Sequence, residues 1–154
     1  MVQMKEIYGD AFELLASQKY DTLCITTNGT VRKDGACVMG RGIALAIQNY
    51  FPRINYYLGQ LIKQNGNIVQ VIHVTEKGTT IIAFPVKHNW WEKADLSLIK
   101  ESCHQLIKLI DKKKLTSILL PRPGCGNGKL DWKEVKPEIE LILDDRVSIV
   151  HWKK

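Results

Sequence analysis

The residues best equipped for chemistry lie in two glycine-rich stretches. Gly124, Gly126 and Gly128 alternate with Cys125 and Asn127, after Pro123 and before Lys129-Leu130-Asp131. Upstream, Gly35-Ala-Cys-Val-Met-Gly-Arg-Gly-Ile-Ala44 is a second such stretch. Glycine allows positive φ and a close approach of backbone to ligand, with no Cβ in the way. A glycine loop between a strand and a helix aims successive N–H groups at one spot, and the helix behind it adds partial positive charge. Together these suit a phosphate. Two such loops facing one another would suit a diphosphate. For either loop alone, a tight turn that holds nothing is the competing explanation. Cys125 reads as a small side chain within its loop, with a nucleophile as the alternative.

The loops need elements to position them. Residues 115–120, Leu-Thr-Ser-Ile-Leu-Leu, form a branched apolar run expected as a buried strand ahead of the second loop. Asp131 and Glu134 have capping-box spacing at the start of the next helix, whose apolar face is Val135, Ile139, Ile142 and Leu143. Residues 4–8 are expected as an edge-like strand, 11–20 as a short helix or loop, and 21–26 as a strand in which Leu23 and Ile25 alternate with polar neighbours. The first glycine stretch opens a helix in which Ile43, Ala44, Ile47, Tyr50 and Phe51 keep the spacing of a buried face. Pro52 breaks it, and a second helix runs from Ile54 to Asn65.

Residues 68–74 and 79–84 are strands whose short connection forces an antiparallel pair, and 85–91 is expected as a loop with an aromatic end. Residues 95–113 carry a long 3.6-residue apolar stripe, and 147–150 form a last strand. This order is mostly β-α-β with one antiparallel pair. The fold class is therefore α/β, a mixed sheet covered by helices on both faces, with ligands bound beyond the carboxyl ends of the strands.

At 154 residues the chain is expected to be one domain, residues 1–154, with a real core. A hydrophobic content of 45% beside 25% charged residues excludes a disordered chain, and no apolar run is long enough to span a bilayer. The first residues show no secretory pattern, so a cytoplasmic location and no membrane partner are expected. Cys24, Cys37, Cys103 and Cys125 contain no Cys-x-x-Cys pair and no histidine clusters with them, which argues against a metal site or a disulfide framework. Cys24 and Cys103 fall on apolar faces and read as core. The net charge of +6 favours an anionic partner and permits nucleic acid without establishing it. Part of that charge lies in the runs 112–114 and 153–154, which read as solvated faces.

Several pieces together resemble a known family. Gly9-Asp10-Ala-Phe12, Asn28-Gly29, Val38-Met39-Gly40-Arg41-Gly42-Ile43-Ala44 and Pro121-Arg-Pro123-Gly124-Cys125-Gly126-Asn127-Gly128 are similar to macrodomains. Within them the likeness is greatest to the branch of terminal ADP-ribose glycohydrolases and DNA-ADP-ribosyl glycohydrolase antitoxins. The resemblance covers essentially the whole chain. It implies a three-layer α/β/α sandwich with ADP-ribose in its cleft; no cofactor is expected, and the chain is expected to be a monomer.

By that resemblance Asp10 bonds the adenine amino group, although an aspartate there would equally cap a short helix. Residues 38–44 match the first phosphate loop and 123–128 the second. Asn28 matches a residue beside the distal ribose, or else simply holds its turn. Val150 or Trp152 is placed to pack against adenine, with a core or edge role as the alternative.

Phe84-Pro-Val-Lys87-His88-Asn-Trp90 resembles the segment with the catalytic lysine of this branch, and its register puts Lys87 on that lysine. An amine there could attack the anomeric carbon of the distal ribose or hydrogen-bond the ribose as it opens. A solvated lysine after a strand is the plain alternative. His88 beside it could carry a proton, or could be an exposed loop residue.

One departure matters. Relatives acting on modified carboxylates carry an aspartate where this chain has Gly128, while Asp131 is better explained as a helix cap. The resemblance therefore favours removal of ADP-ribose from a modified acceptor by the antitoxin-type mechanism, with an ADP-ribosylated nucleic-acid base or protein side chain as substrate. Processing of ADP-ribose 1″-phosphate or O-acetyl-ADP-ribose, or reading ADP-ribose without chemistry, are the other activities found among macrodomains.

Overall fold

The computed structural model describes residues 2–152; the 153–154 lysine run expected to be a solvated face lies outside them. In chain order the elements are β1 (Lys5–Tyr8), α1 (Ala11–Ala16), β2 (Thr22–Asn28), α2 (Gly42–Tyr50), α3 (Ile54–Asn65), β3 (Gln70–Val74), β4 (Thr80–Lys87), α4 (Leu96–Lys113), β5 (Ile118–Pro121), α5 (Trp132–Ile139) and β6 (Val147–His151). The strands make one six-stranded sheet in the order β1-β6-β5-β2-β4-β3. All neighbours are parallel except β3 and β4.

The alternation of side chains across the sheet builds two cores. Cys24, Ile82, Phe84, Ile118, Leu120 and Ile149 face the layer of α4 and α5. Leu23, Ile25, Ile81, Ala83, Leu119 and Val150 face the layer that includes α2 and α3. Both faces are covered, which is the α/β/α sandwich. Each large core side chain contributes about 1.5–3 kcal/mol through burial. Cys24 and Cys103 are core residues, as expected, and Cys37 joins them.

Several local expectations change for identifiable reasons. The start of β2 is buried at four consecutive residues, because a central strand is covered on both sides and loses the alternating pattern. Pro85, Val86 and Lys87 do not form a loop but prolong β4. Pro85 fits there because the pairing with β2 shifts register between Thr27 and Asn28, which carries Asn28 opposite Lys87. Tyr50 is mostly exposed instead of joining the buried face of α2. β5 begins at Ile118, and α5 ends at Ile139, before Ile142 and Leu143. Asp131 caps α5 through the Lys133 N–H, one position short of the bond a capping box makes.

The start of β2 is stapled to the segment before β5 by one carboxylate. Asp21 accepts from the N–H and hydroxyl of Thr116, both at 2.9 Å, and from the N–H of Ser117 at 3.3 Å. Close packing matters at Gly59 in α3, where a Cβ would run into the carbonyl oxygen of Gly35. That contact seats the stretch leading into the first glycine loop against α3.

Candidate active site

A cleft of about 1310 Å³ opens beyond the carboxyl ends of the four central parallel strands. Asn28 ends β2, Lys87 ends β4, Pro121 ends β5 and Val150-His151 ends β6, and all of them line it. The two glycine loops form its sides. Asp10, Asn28, Val38, Met39, Gly40, Arg41, Gly42, Ile43, Ala44, Lys87, Gly124, Cys125, Gly126, Asn127 and Gly128 come together around this one space. Pro123 does not line it; it is buried beneath its loop.

The first loop is held from below. Asn28 Nδ2 donates to Val38 O at 2.9 Å while Asn28 Oδ1 accepts from Thr30 N–H at 3.0 Å, so this side chain does hold its turn. The loop then enters α2 with Arg41 extended at the N-cap and Gly42 at φ +60°. No side chain caps this helix, and the N–H groups of Gly40, Arg41 and Gly42 have no acceptor among the described residues. Those are donors an anion could take up.

The second loop is pinned at both ends. Leu130 N–H donates to Gly124 O at 2.9 Å, Lys129 N–H to Gly126 O at 3.0 Å, and Ala94 N–H to Gly128 O at 3.0 Å. The N–H groups of Gly126, Asn127 and Gly128 have no acceptor among the described residues. Gly124 sits at φ +78°, while a Cβ on Gly126 would meet nothing within 4 Å. A Cβ on Gly42 would lie 3.6 Å from the Asn127 amide, so the two loops nearly touch.

Gly128 is different. A Cβ there would stand 2.5 Å from Gly124 O and 2.7 Å from the Ala94 methyl. Position 128 is therefore sterically closed to a side chain in this backbone. Asp131 lines the cleft and caps α5 through Oδ1.

Lys87 leaves the end of β4 with Nζ donating to Trp90 O at 3.3 Å. Partial burial, then the nearby charges of Lys129 and Arg41, lower its pKa below the ordinary lysine value. Cys125 goes the other way. Burial raises its pKa to about 11, and its Sγ contacts Pro123 O at 3.5 Å, so at neutral pH it is a thiol and a poor nucleophile. Asp10 caps α1 through Oδ1, which accepts from Phe12 and Glu13, and its other oxygen accepts nothing from the described residues. His88 turns away from the cleft and pairs through Nε2 with Asp95 Oδ2 at 2.8 Å. Val150 is buried and Trp152 is exposed, and both border the cleft.

Sequence reasoning missed several residues that line the same space. Arg32, Lys93, Arg122 and Lys129 join Arg41 and Lys87, and these cations outnumber Asp10, Glu92 and Asp131. Arg122 stacks over Trp132 at 5.0 Å. Trp90 and Trp91 stand on the rim. Arg122 and Lys129 flank the second glycine loop in the chain, and the tryptophan pair follows Lys87, so proximity to the motifs was the signal available. Among the described residues no group of His, Cys, Asp or Glu could hold a metal, and no helix is long and apolar enough to cross a membrane.

A family model described as Macro domain matches residues 33–139. A DNA ADP-ribosyl glycohydrolase of Thermus aquaticus is 31% identical over 121 residues, 75% of this chain and 33% of that protein. The ADP-ribose glycohydrolase OARD1 of Homo sapiens is 27% identical over 134 residues, 86% of this chain and 80% of that protein. The macrodomain of Mycobacterium tuberculosis DarG superposes with a TM-score of 0.75 at 25% identity, covering 98% of this chain and 99% of that one. This chain spans about a third of the length of the Thermus aquaticus relative.

Proposed function

Because the chain belongs to the macrodomain family, we propose that it is a hydrolase that removes ADP-ribose from a modified acceptor. It would work as a single, monomeric macrodomain in the cytoplasm. The diphosphate would lie between the free N–H groups of residues 40–42 and 126–128, with the cleft's cations supplying the field. Asp10 would use its remaining carboxylate oxygen for the adenine amino group, and Asn28, Asn127 and Cys125 would border the distal ribose.

The observation that carries the reading is Lys87, an amine with lowered pKa at the end of β4 between the two loops. In its neutral form Nζ attacks the anomeric carbon of the distal ribose. The bond to the acceptor breaks, its electron pair leaves with the acceptor, and the acceptor takes up a proton. Water then displaces the lysine, which restores the amine and releases ADP-ribose. Gly128 stands where the resemblance places an aspartate in carboxylate-directed relatives, and on that likeness a nucleic-acid base is favoured over a carboxylate ester as acceptor. The names of the relatives cover both a DNA-directed and a more general ADP-ribose glycohydrolase.

Two measurements test this. Calorimetric titration with ADP-ribose should show binding by the parent and none by Gly126→Glu. Chromatography for free ADP-ribose should then show release from an ADP-ribosylated oligonucleotide, an ADP-ribosylated protein or ADP-ribose 1″-phosphate, which ranks the acceptors. A parent that binds ADP-ribose and releases it from none of them is a reader, and the hydrolase reading is wrong.

A further inference from the structure

The segment between β4 and α4 is tied down at almost every residue. Gly29 N–H donates to His88 O at 3.1 Å, Trp90 N–H to Thr30 Oγ1 at 3.0 Å, and Asp95 N–H to Val86 O at 2.9 Å. Asn89 Nδ2 donates to Glu92 Oε1 at 2.9 Å, and the Lys87 amine closes the turn on Trp90 O. Such a backbone could tuck its large side chains inward. Instead Trp90 is 51% and Trp91 63% exposed, at the mouth of the cleft.

Displaying two tryptophans to water on an ordered loop costs hydrophobic free energy with no folding benefit, and aromatics shown this way mark a contact surface. Their rings meet edge to face, with centroids 6.0 Å apart and planes at 89°. An edge-on pair leaves ring faces open to a third aromatic. Lys93 lies two residues on, past Glu92, with no ion-pair partner among the described residues, and Arg41, Lys129 and Arg32 (itself paired with Asp34 at 3.1 Å) line the adjoining cleft. Planar faces beside a cationic track are what single-stranded nucleic acid needs, since bases stack while phosphates are neutralised. A duplex keeps its bases stacked on one another and cannot use such faces.

We infer that the Trp90–Trp91 rim is a stacking platform for unpaired nucleic-acid bases adjoining the modified one. This rests on the glycohydrolase reading for its meaning, but its test does not require turnover. The probe is a fluorescein-labelled oligothymidylate of about ten nucleotides, within the site sizes such grooves cover. Its anisotropy is followed with the parent, Trp91→Ala and Trp91→Phe, and the same strand is tried as a duplex. An oligoglutamate of matching charge serves as the acidic-peptide arm.

The expected result is binding of the single strand that Trp91→Ala weakens roughly 5- to 150-fold, the span of one stacked base, and that Trp91→Phe largely keeps. The side chain is mostly exposed, so both variants should melt with the parent. Equal affinity in Trp91→Ala, equal affinity for the duplex or the oligoglutamate, or no binding at all would overturn the platform. ADP-ribose calorimetry is read separately. Sugar-nucleotide binding without strand discrimination removes the platform alone, whereas strand discrimination without ADP-ribose binding removes the glycohydrolase reading and leaves the platform as a nucleic-acid surface.

Discussion

Lys87 owes its chemistry to its neighbours more than to its own type. Burial and the charges of Lys129 and Arg41 all disfavour the ammonium form, and Nζ donates to a backbone carbonyl, with no carboxylate among the described residues to hold the proton. Lys87→Ala should cut release of ADP-ribose by about 100-fold or more while ADP-ribose still binds, read by chromatography and calorimetry side by side. Because the neutral amine is the reactive form, release should rise with pH as Lys87 loses its proton, with a midpoint below the ordinary lysine value of 10.5. Lys129→Asn removes one of the opposing charges and keeps a residue that tolerates the left-handed backbone at φ 64°, so its pH profile should shift upward. An unmoved profile would mean that another group titrates. Nothing in the types or spacing of residues around Lys87 singles it out from other lysines. Only the likeness to a family did so, because the cause of its altered basicity is spatial and Lys129 lies far along the chain.

Elements of regular pattern were legible and elements that depend on tertiary detail were not. α4 follows a 3.6-residue stripe with Asp95 as its cap, and it occupies the span expected of it. β4 runs past its expected end because Pro85 reads as a terminator until a register shift in the partner strand accommodates it. The two glycine loops announced themselves, yet their glycines are not equivalent, and spacing could not reveal that. Gly126 has open space where a side chain would go, whereas Gly128 is closed by Gly124 O. Gly126→Glu should therefore fold like the parent and lose at least about 100-fold in ADP-ribose affinity, since like charges a few ångströms apart repel by about 4 kcal/mol near a surface. Gly128→Ala should instead cost about 1–3 kcal/mol of stability in chemical denaturation, by forcing the loop off Ala94. Equal stability of the two variants would contradict the geometry.

Across the whole molecule, charge holds distant parts of the chain together. Burial would raise the Asp21 pKa, but hydrogen bonds from Thr116, Thr22 and Ser117 outweigh it and the net shift is downward. Asp144 is also lowered, chiefly by its bonds with Arg146, which reaches Asp111 as well. A carboxyl with a lowered folded pKa stabilises the fold fully above its ordinary value, 3.8 here, and loses that contribution as pH falls through the folded value. Thermal melts should accordingly fall off in that acid range. Asp21→Asn should lose about 1–3 kcal/mol at neutral pH and decline less steeply on acidification. The β4–α4 segment has a consequence in time. Its backbone is already bonded to β2's end, to the second glycine loop and to itself, and nothing has to swing shut over a ligand. In stopped-flow mixing, ADP-ribose should associate in one step, with an observed rate that climbs in proportion to concentration. A rate that levels off would reveal a conformational step before or after docking.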